Sequence, residues 1–187
     1  IVTGTRAEYG LLANTIKLLQ ELDNLETVVF ACGTHLSPEH GNTIDEIVAD
    51  GVQNIVPVEM LLSTNSSVGI AKSVGLAMIG FADAFSTQKI TSLLVLGDRY
   101  ETLAATQTAM FLDIPIMHIH GGEVTEGAFD DAIRHSITKM ANVHFPATAE
   151  FANRILQLGE DPKSVFVVGS PGVDNIFTTP RVSKLEL

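Results

Sequence analysis

The 187-residue chain is 45% hydrophobic, enough to bury one substantial core and too short for two large domains. Its formal net charge of -11 argues against a nucleic-acid groove or a basic membrane-docking face, since both need clustered Lys and Arg. A small partner is expected, and any phosphate must be held by a few locally placed donors against an unfavourable field, which directs attention to individual arginines. The single cysteine, Cys32, excludes an internal disulfide framework and fits a reducing compartment. No signal-peptide pattern opens the numbered sequence. The most apolar stretch, Val68 to Phe85, carries Lys72 and Asp83 and is rich in Gly and Ala, so it reads as a packed core helix and not as a bilayer span. A soluble, cytoplasmic protein is expected.

Ile1-Val2-Thr3 reads as the tail of a first strand whose initiating residues precede the numbered chain. Short apolar, β-branched runs follow at Thr27–Cys32, Ile55–Val58, Ser92–Leu96, Ile114–Ile119, Val143–Phe145 and Val165–Val168. They are nearly continuous in hydrophobicity, as strands buried on both faces are. Helical patterns lie between them: an apolar stripe from Leu11 to Leu22, then Thr43–Asp50, Val68–Phe85, Glu101–Leu112, Asp130–Ala141 and Ala149–Leu158. Strict alternation implies right-handed crossovers and a doubly wound parallel sheet, a Rossmann-like α/β domain. Ligands of such sheets bind at the carboxyl ends of the strands, so the turns there are the places to search.

The first such turn is Gly4-Thr5-Arg6-Ala7-Glu8-Tyr9-Gly10. Thr5 and Glu8 have capping-box spacing, which defines a helix N-terminus with Arg6 beside its free N–H groups. Taken alone, a capped helix with a solvated arginine is the better reading. The glycines do not match the dinucleotide-binding fingerprint. After the second strand, Gly33 to Gly41 forms a polar loop whose His35 and His40 are expected to be mostly solvated. Gly97-Asp98-Arg99-Tyr100-Glu101 follows the fourth strand. Asp98 serves either as an N-cap with Glu101 closing the box, or as a proton-handling acid beside an Arg99 that meets phosphate; the sequence favours neither.

The fifth strand feeds His118-Ile119-His120-Gly121-Gly122-Glu123, and Asp130-Asp131-Ala132-Ile133-Arg134-His135 opens the next helix. Alternation puts His118 and His120 on one side of a strand, yet two histidines without a placed third ligand are weak grounds for a metal, and none is expected. Burial is expected to raise the Glu123 pKa toward neutrality. Asp131, Arg134 and His135 share one helix face near its positive end, which on its own reads as an intrahelical salt-bridge cluster. Acids converging from three turns on one sheet edge favour catalysis instead.

Together the blocks Thr3 to Tyr9, Gly97 to Glu101, His118 to Glu123, Asp130 to His135 and Gly169-Ser170-Pro171-Gly172-Val173-Asp174 resemble the hydrolysing UDP-N-acetylglucosamine 2-epimerases of the sialic-acid pathway, in order and over essentially the whole chain. The resemblance implies two Rossmann-like domains facing across a cleft, as in glycosyltransferases of the GT-B type. Residues 1–175 would form the first, residues 176–187 the start of an interdomain linker, and the second domain would lie outside this chain. A fragment ending at Leu187 would then bind UDP weakly and turn over poorly. The implied chemistry is anti elimination of UDP to a 2-acetamidoglucal, then hydration to N-acetylmannosamine, with no metal or nicotinamide cofactor. The resemblance implies catalytic positions at Asp98, Glu123 and Asp131, nucleotide contacts at Arg6, Gly10 and Arg99, and substrate contacts at Arg134 and His135. Where some relatives read Ile-Glu-Gly-Gly-Glu, this chain reads Ile119-His120-Gly121-Gly122-Glu123. The duty of that earlier carboxylate falls either to Glu123 or to His120 as general base, and Asp130 is an alternative to Asp131. A homo-oligomer, dimer or tetramer, is expected, with the Val68–Phe85 helix a candidate contact.

Overall fold

The computed structural model describes residues 1–62, 64, 66–126 and 129–178, with Thr178 as backbone only. Of residues 176–187, where the start of a linker was expected, 176–178 belong to a helix and 179–187 lie outside the described residues. The strands are β1 (Val2–Thr3), β2 (Val29–Cys32), β3 (Ile55–Val58), β4 (Leu93–Leu96), β5 (Ile116–Ile119) and β6 (Val143–Phe145). The helices are α1 (Arg6–Gln20), α2 (Ile44–Ala49), α3 (Ser67–Gln88), α4 (Tyr100–Phe111), α5 (Asp130–Met140), α6 (Ala149–Gln157) and α7 (Pro171–Thr178). All strand pairings are parallel, in two ladders ordered β1-β2-β3 and β4-β5-β6, and β1 lies beside β4.

Period-two alternation explains why helices cover both faces of the sheet. Phe30 and Cys32 of β2 and Leu93 and Val95 of β4 point into one core with Phe81 and Phe85 of α3, Ala104 and Ala105 of α4, and Ile133 and Ile137 of α5. Val29, Ala31, Leu94 and Leu96 point the other way, onto Tyr9, Leu12 and Ile16 of α1 and Ile47 of α2. This is the expected doubly wound, Rossmann-like α/β domain. The edge strand β3 is less deeply buried: Ile55 and Val56 are half-buried against the two cores, Pro57 is exposed and Val58 is buried.

The chain leaves β1 toward β2 on one side and returns through β4 on the other, so the strand order reverses between β1 and β4. Such a switch point opens a crevice at the strands' carboxyl ends. The turns Gly4 to Tyr9 and Gly97 to Glu101 both end there.

Three expectations need correction. Val165–Val168 is not a strand: one bridge joins Val165 to His144, and Phe166 to Val168 stay half exposed because they have neighbours on one side alone. The Val68–Phe85 helix is not buried all round. On α3, Gly69, Ser73, Ala77, Phe81 and Phe85 recur every four residues and are buried, with the Phe85 ring 4.9 Å from that of Phe30. Val68, Leu76 and Ile79 are exposed. By length and composition α3 is apolar enough to cross a membrane; in the fold its buried stripe is the sheet's cover. The loop after β2 is two short 3-10 turns, and His35 within it is fully buried, bridging the hydroxyls of Thr3 (3.0 Å) and Thr43 (2.8 Å). His40 lies 3.0 Å from the Ser37 hydroxyl. Helix α7 had no counterpart in the periodicity; it packs on α1, where Asn175 Nδ2 donates to the Gly10 carbonyl at 2.7 Å.

Candidate active site

The Thr5 cap forms as its spacing requires: the Thr5 hydroxyl accepts from the Glu8 N–H at 3.2 Å, a contact worth about 1 kcal/mol. The Glu8 carboxylate turns back to accept from the Gly4 N–H at 2.6 Å. Arg6 stands on the first turn of α1, its side chain 73% exposed, paired at 2.9 Å with Glu46. It does not touch the acid cluster described below. An ion pair so wet contributes little, so Arg6 is free to exchange Glu46 for another anion. Gly10, one turn further, is exposed, and a Cβ there would meet nothing within 4 Å.

After β4 the N-cap position of α4 belongs to Arg99, without a side-chain cap, so the Asp98 capping reading is overturned. Asp98 instead reaches across to α5. Its Oδ2 accepts from Arg134 Nη2 and, at 3.2 Å, from the Thr125 hydroxyl. Arg99 forms a two-pronged pair with Glu101, Nη2 to Oε1 at 2.8 Å and Nε to Oε2 at 3.1 Å.

β5 ends at Ile119, and His120 takes a left-handed backbone with φ of 64°. That change of hand separates the two histidines that alternation had put together. His118 is buried, donates from Nε2 to the Gly97 carbonyl at 2.8 Å, and burial pushes its pKa down to about 3. It is a neutral strut. His120 turns outward: its Nδ1 lies 2.9 Å from Glu123 Oε1 and its Nε2 3.3 Å from the Ser170 hydroxyl. A carboxylate can only accept, so the proton sits on Nδ1, and in the neutral ring Nε2 keeps its lone pair.

The turn between these two groups is built on Gly122, where φ is 77° and a Cβ would sit 2.2 Å from the Phe151 carbonyl oxygen. A side chain there is excluded by both hand and space. Glu123 does not titrate as expected. Burial works to raise its carboxyl, but the hydrogen bond from His120 and the charges of His120 and Arg134 together outweigh it and hold the group below the usual carboxylate range.

Helix α5 begins without a side-chain cap and carries Asp130 and Asp131 in its first turn, where the helix dipole favours anions. The intrahelical reading holds for one pair only, Asp131 with His135 at 3.4 Å. Asp131 also accepts from the Thr125 N–H at 3.3 Å. Arg134 leaves that set. Only 7% of its side chain is exposed, and it gathers the site: Nη1 donates to the His120 carbonyl at 2.7 Å and lies 3.6 Å from Glu123, while Nη2 serves Asp98 and, at 3.0 Å, Thr125.

Asp98, His120, Glu123, Asp131, Arg134 and His135 thus form one connected cluster at the carboxyl edge of β4 and β5, while Arg6, Gly10 and Arg99 belong to the turns after β1 and β4. Thr125 and Ser170 complete the cluster without having been singled out from the sequence. Ser170 lay in a recognised block, but nothing in its spacing pointed at His120, 50 residues away. No group of three or more His, Cys, Asp or Glu poised to hold a metal occurs among the described residues.

The model of the UDP-N-acetylglucosamine 2-epimerase family matches residues 17–187. The chain is 40% identical over 178 residues to the UDP-N,N'-diacetylbacillosamine 2-epimerase (hydrolyzing) of Legionella pneumophila, covering 94% of this chain and 46% of that protein. It is 39% identical over 186 residues to the polysialic acid biosynthesis protein P7 of Escherichia coli, covering 100% and 48% respectively. A crystal structure of the Neisseria meningitidis UDP-GlcNAc 2-epimerase bound to UDP-GlcNAc superposes with a TM-score of 0.81 at 23% identity, over 94% of this chain and 47% of that one, a likeness of fold. The chain spans about half the length of the curated relatives it matches. With five sequence blocks, the doubly wound fold and the family match in agreement, this chain belongs to the UDP-N-acetylglucosamine 2-epimerase family.

Proposed function

We propose that the protein containing this domain is a hydrolysing 2-epimerase that converts UDP-N-acetylglucosamine to N-acetylmannosamine and UDP. The observation that carries the reading is the His120–Glu123 pair at 2.9 Å, an imidazole with an oriented proton on one nitrogen and a lone pair on the other, beside the Asp98–Arg134 ion pair. His120 takes the C2 proton as the C1–O bond breaks and UDP departs, leaving the 2-acetamidoglucal. Asp98 and Asp131 then serve the addition of water, which delivers hydroxyl to C1 and a proton to C2 on the opposite face. Glu123 stabilises the imidazolium that forms on His120, and its depressed pKa keeps it ionised for that purpose. Arg99, Arg6 and the backbone at Gly10 receive the diphosphate and uridine, and Arg134 and His135 hold the acids in place.

A second reading applies the same chemistry to a UDP-2,4-diacetamido sugar, favoured by the 40% identity to the Legionella diacetylbacillosamine enzyme. The 39% identity to the polysialic acid protein supports the first. The exposed face of α3, with Val68, Leu76 and Ile79, supports assembly as a homo-oligomer.

The test is incubation of the full-length protein with UDP-N-acetylglucosamine in deuterated water. Free UDP together with N-acetylmannosamine deuterated at C2 is the expected outcome. Activity confined to the diacetamido substrate selects the second reading, and absence of C2 exchange with either sugar removes both.

A further inference from the structure

Beneath the turns after β1, β2 and β4 lies a pair of acids that the chemistry above leaves unused. Glu8 of α1 and Glu101 of α4 are 5% and 0% exposed. Helix N-termini welcome acids, but at the surface; burying a carboxylate is costly unless it is paired and hydrogen-bonded. Glu101 is paired on both oxygens, with Arg99 Nη2 at 2.8 Å and Nε at 3.1 Å. Glu8 is held by the Gly4 N–H at 2.6 Å and the Thr102 hydroxyl at 3.3 Å. The backbone is shaped around Glu101: a Cβ on Gly33, whose φ is 57°, would lie 3.0 Å from Glu101 Oε1 and 2.7 Å from the Gly4 carbonyl oxygen, and one on Gly4 would lie 3.2 Å from Glu101 Cγ. Gly4 is itself tied to the β2 turn, its carbonyl accepting from the Thr34 N–H at 2.9 Å. All three turns at the switch point are thereby locked onto one carboxylate.

Arg99 is the outlet of this arrangement. Its side chain is 40% exposed although its partner is wholly buried, its guanidinium lies over the Tyr100 ring at 5.8 Å, and Nη1 has no partner among the described residues. Two parallel hydrogen bonds fix the plane of a guanidinium as one cannot. We propose that Glu101 is a positioning residue for nucleotide-sugar binding, orienting Arg99 so that its open edge meets the substrate diphosphate without first having to be immobilised. The inference deepens the function above and rests on Arg99 taking that diphosphate.

Immobilising a long side chain on binding costs on the order of a factor of two to ten in affinity, so the loss of Glu101 should appear at that scale. Glu101→Gln in the full-length protein is expected to raise the KM for UDP-N-acetylglucosamine and the calorimetric Kd for UDP by about fivefold, with kcat within about twofold. Arg99→Ala should raise the same Kd by about tenfold or more, and the double variant should bind no worse than Arg99→Ala alone. Losses that add in the double variant would mean that Glu101 acts without Arg99, and an unchanged or tighter Kd in Glu101→Gln would equally overturn the proposal. If Arg99→Ala itself binds UDP normally, the diphosphate assignment fails, a distinct result that takes the positioning role with it. Should Glu101→Gln lose its cooperative thermal transition, Glu101→Asp, which keeps the charge but withdraws it from the fork, carries the same comparison.

Discussion

Arg134 and Asp98, 36 positions apart in sequence, form an ion pair whose side chains are 7% and 19% exposed. The same guanidinium also holds the His120 carbonyl and the Thr125 hydroxyl, so one residue joins the turns after β4 and β5 to α5.

Removing Arg134 leaves a partly buried carboxylate without its cation, a change that costs about 3 kcal/mol or more in unfolding free energy. Arg134→Ala is therefore expected to be strongly destabilised in urea titrations. Asp98→Asn keeps the shape and one acceptor and should lose about 1–2 kcal/mol, but formation of N-acetylmannosamine should fall by about a hundredfold or more. Normal N-acetylmannosamine formation in Asp98→Asn would sink the acid role of that residue.

The His120–Glu123 pair leads to a different pattern. Glu123 has a depressed pKa, so its stabilising contribution is present above the ordinary carboxylate value and is lost only as acid protonates it at lower pH. At neutral pH it is an anion, and Glu123→Gln and His120→Ala should each slow deuterium incorporation at C2 by about 10²–10⁴-fold. UDP affinity should hardly move in either variant. A parallel loss of UDP binding would assign the pair to binding instead of proton transfer.

Gly10 offers a substitution whose two effects oppose. It sits inside α1 with open space at its Cβ position, so Gly10→Ala should stabilise the fold by about 0.5–1 kcal/mol through helix propensity. If uridine or diphosphate approaches that backbone, the added methyl weakens UDP binding. A more stable protein with reduced UDP affinity is the expected pairing, read by thermal midpoint and calorimetry.

Glu8 should make stability fall as pH rises. Burial, first among the causes, lifts its carboxyl from an ordinary value of 4.5 to about 7. The folded chain therefore binds this proton more tightly than the unfolded one, and stability declines between those two values and stays low above the upper one. The span corresponds to about 3 kcal/mol. Glu8→Gln should flatten the change in unfolding free energy between about pH 5 and about pH 8 by a comparable amount. An equal slope in wild type and variant would show that the proton is lost early.

The uncovered apolar stripe on α3 carries the oligomer proposal. Ile79 is 64% exposed on the face opposite Phe81 and Phe85, so Ile79→Glu should leave the core intact while breaking a contact centred there. Sedimentation should show the full-length protein shifting to a smaller species with unchanged helicity. An unshifted profile would move the interface elsewhere.

Much of this protein was settled by local rules acting within short windows. The alternation of apolar runs and helical stripes placed β3 and β6 to the residue and each other expected helix to within a few positions, save α1, which begins at its cap, because burial on both faces imposes a period that sequence displays directly. The Thr5 cap was equally legible, since it depends on residues three apart. What only the tertiary structure decided were the pairings among the turns after β4 and β5 and helix α5. Asp98 and Glu101 share a capping-box spacing, yet Glu101 took the local cation two positions before it, Arg99, while Asp98 turned to Arg134, which the fold brings in on α5 from 36 positions away. His118 and His120 alternate in sequence, and a single left-handed residue at the strand end made one a buried strut and turned the other onto Glu123. Distances between residues 30 or more positions apart follow from strand order and backbone hand, and no periodicity encodes them.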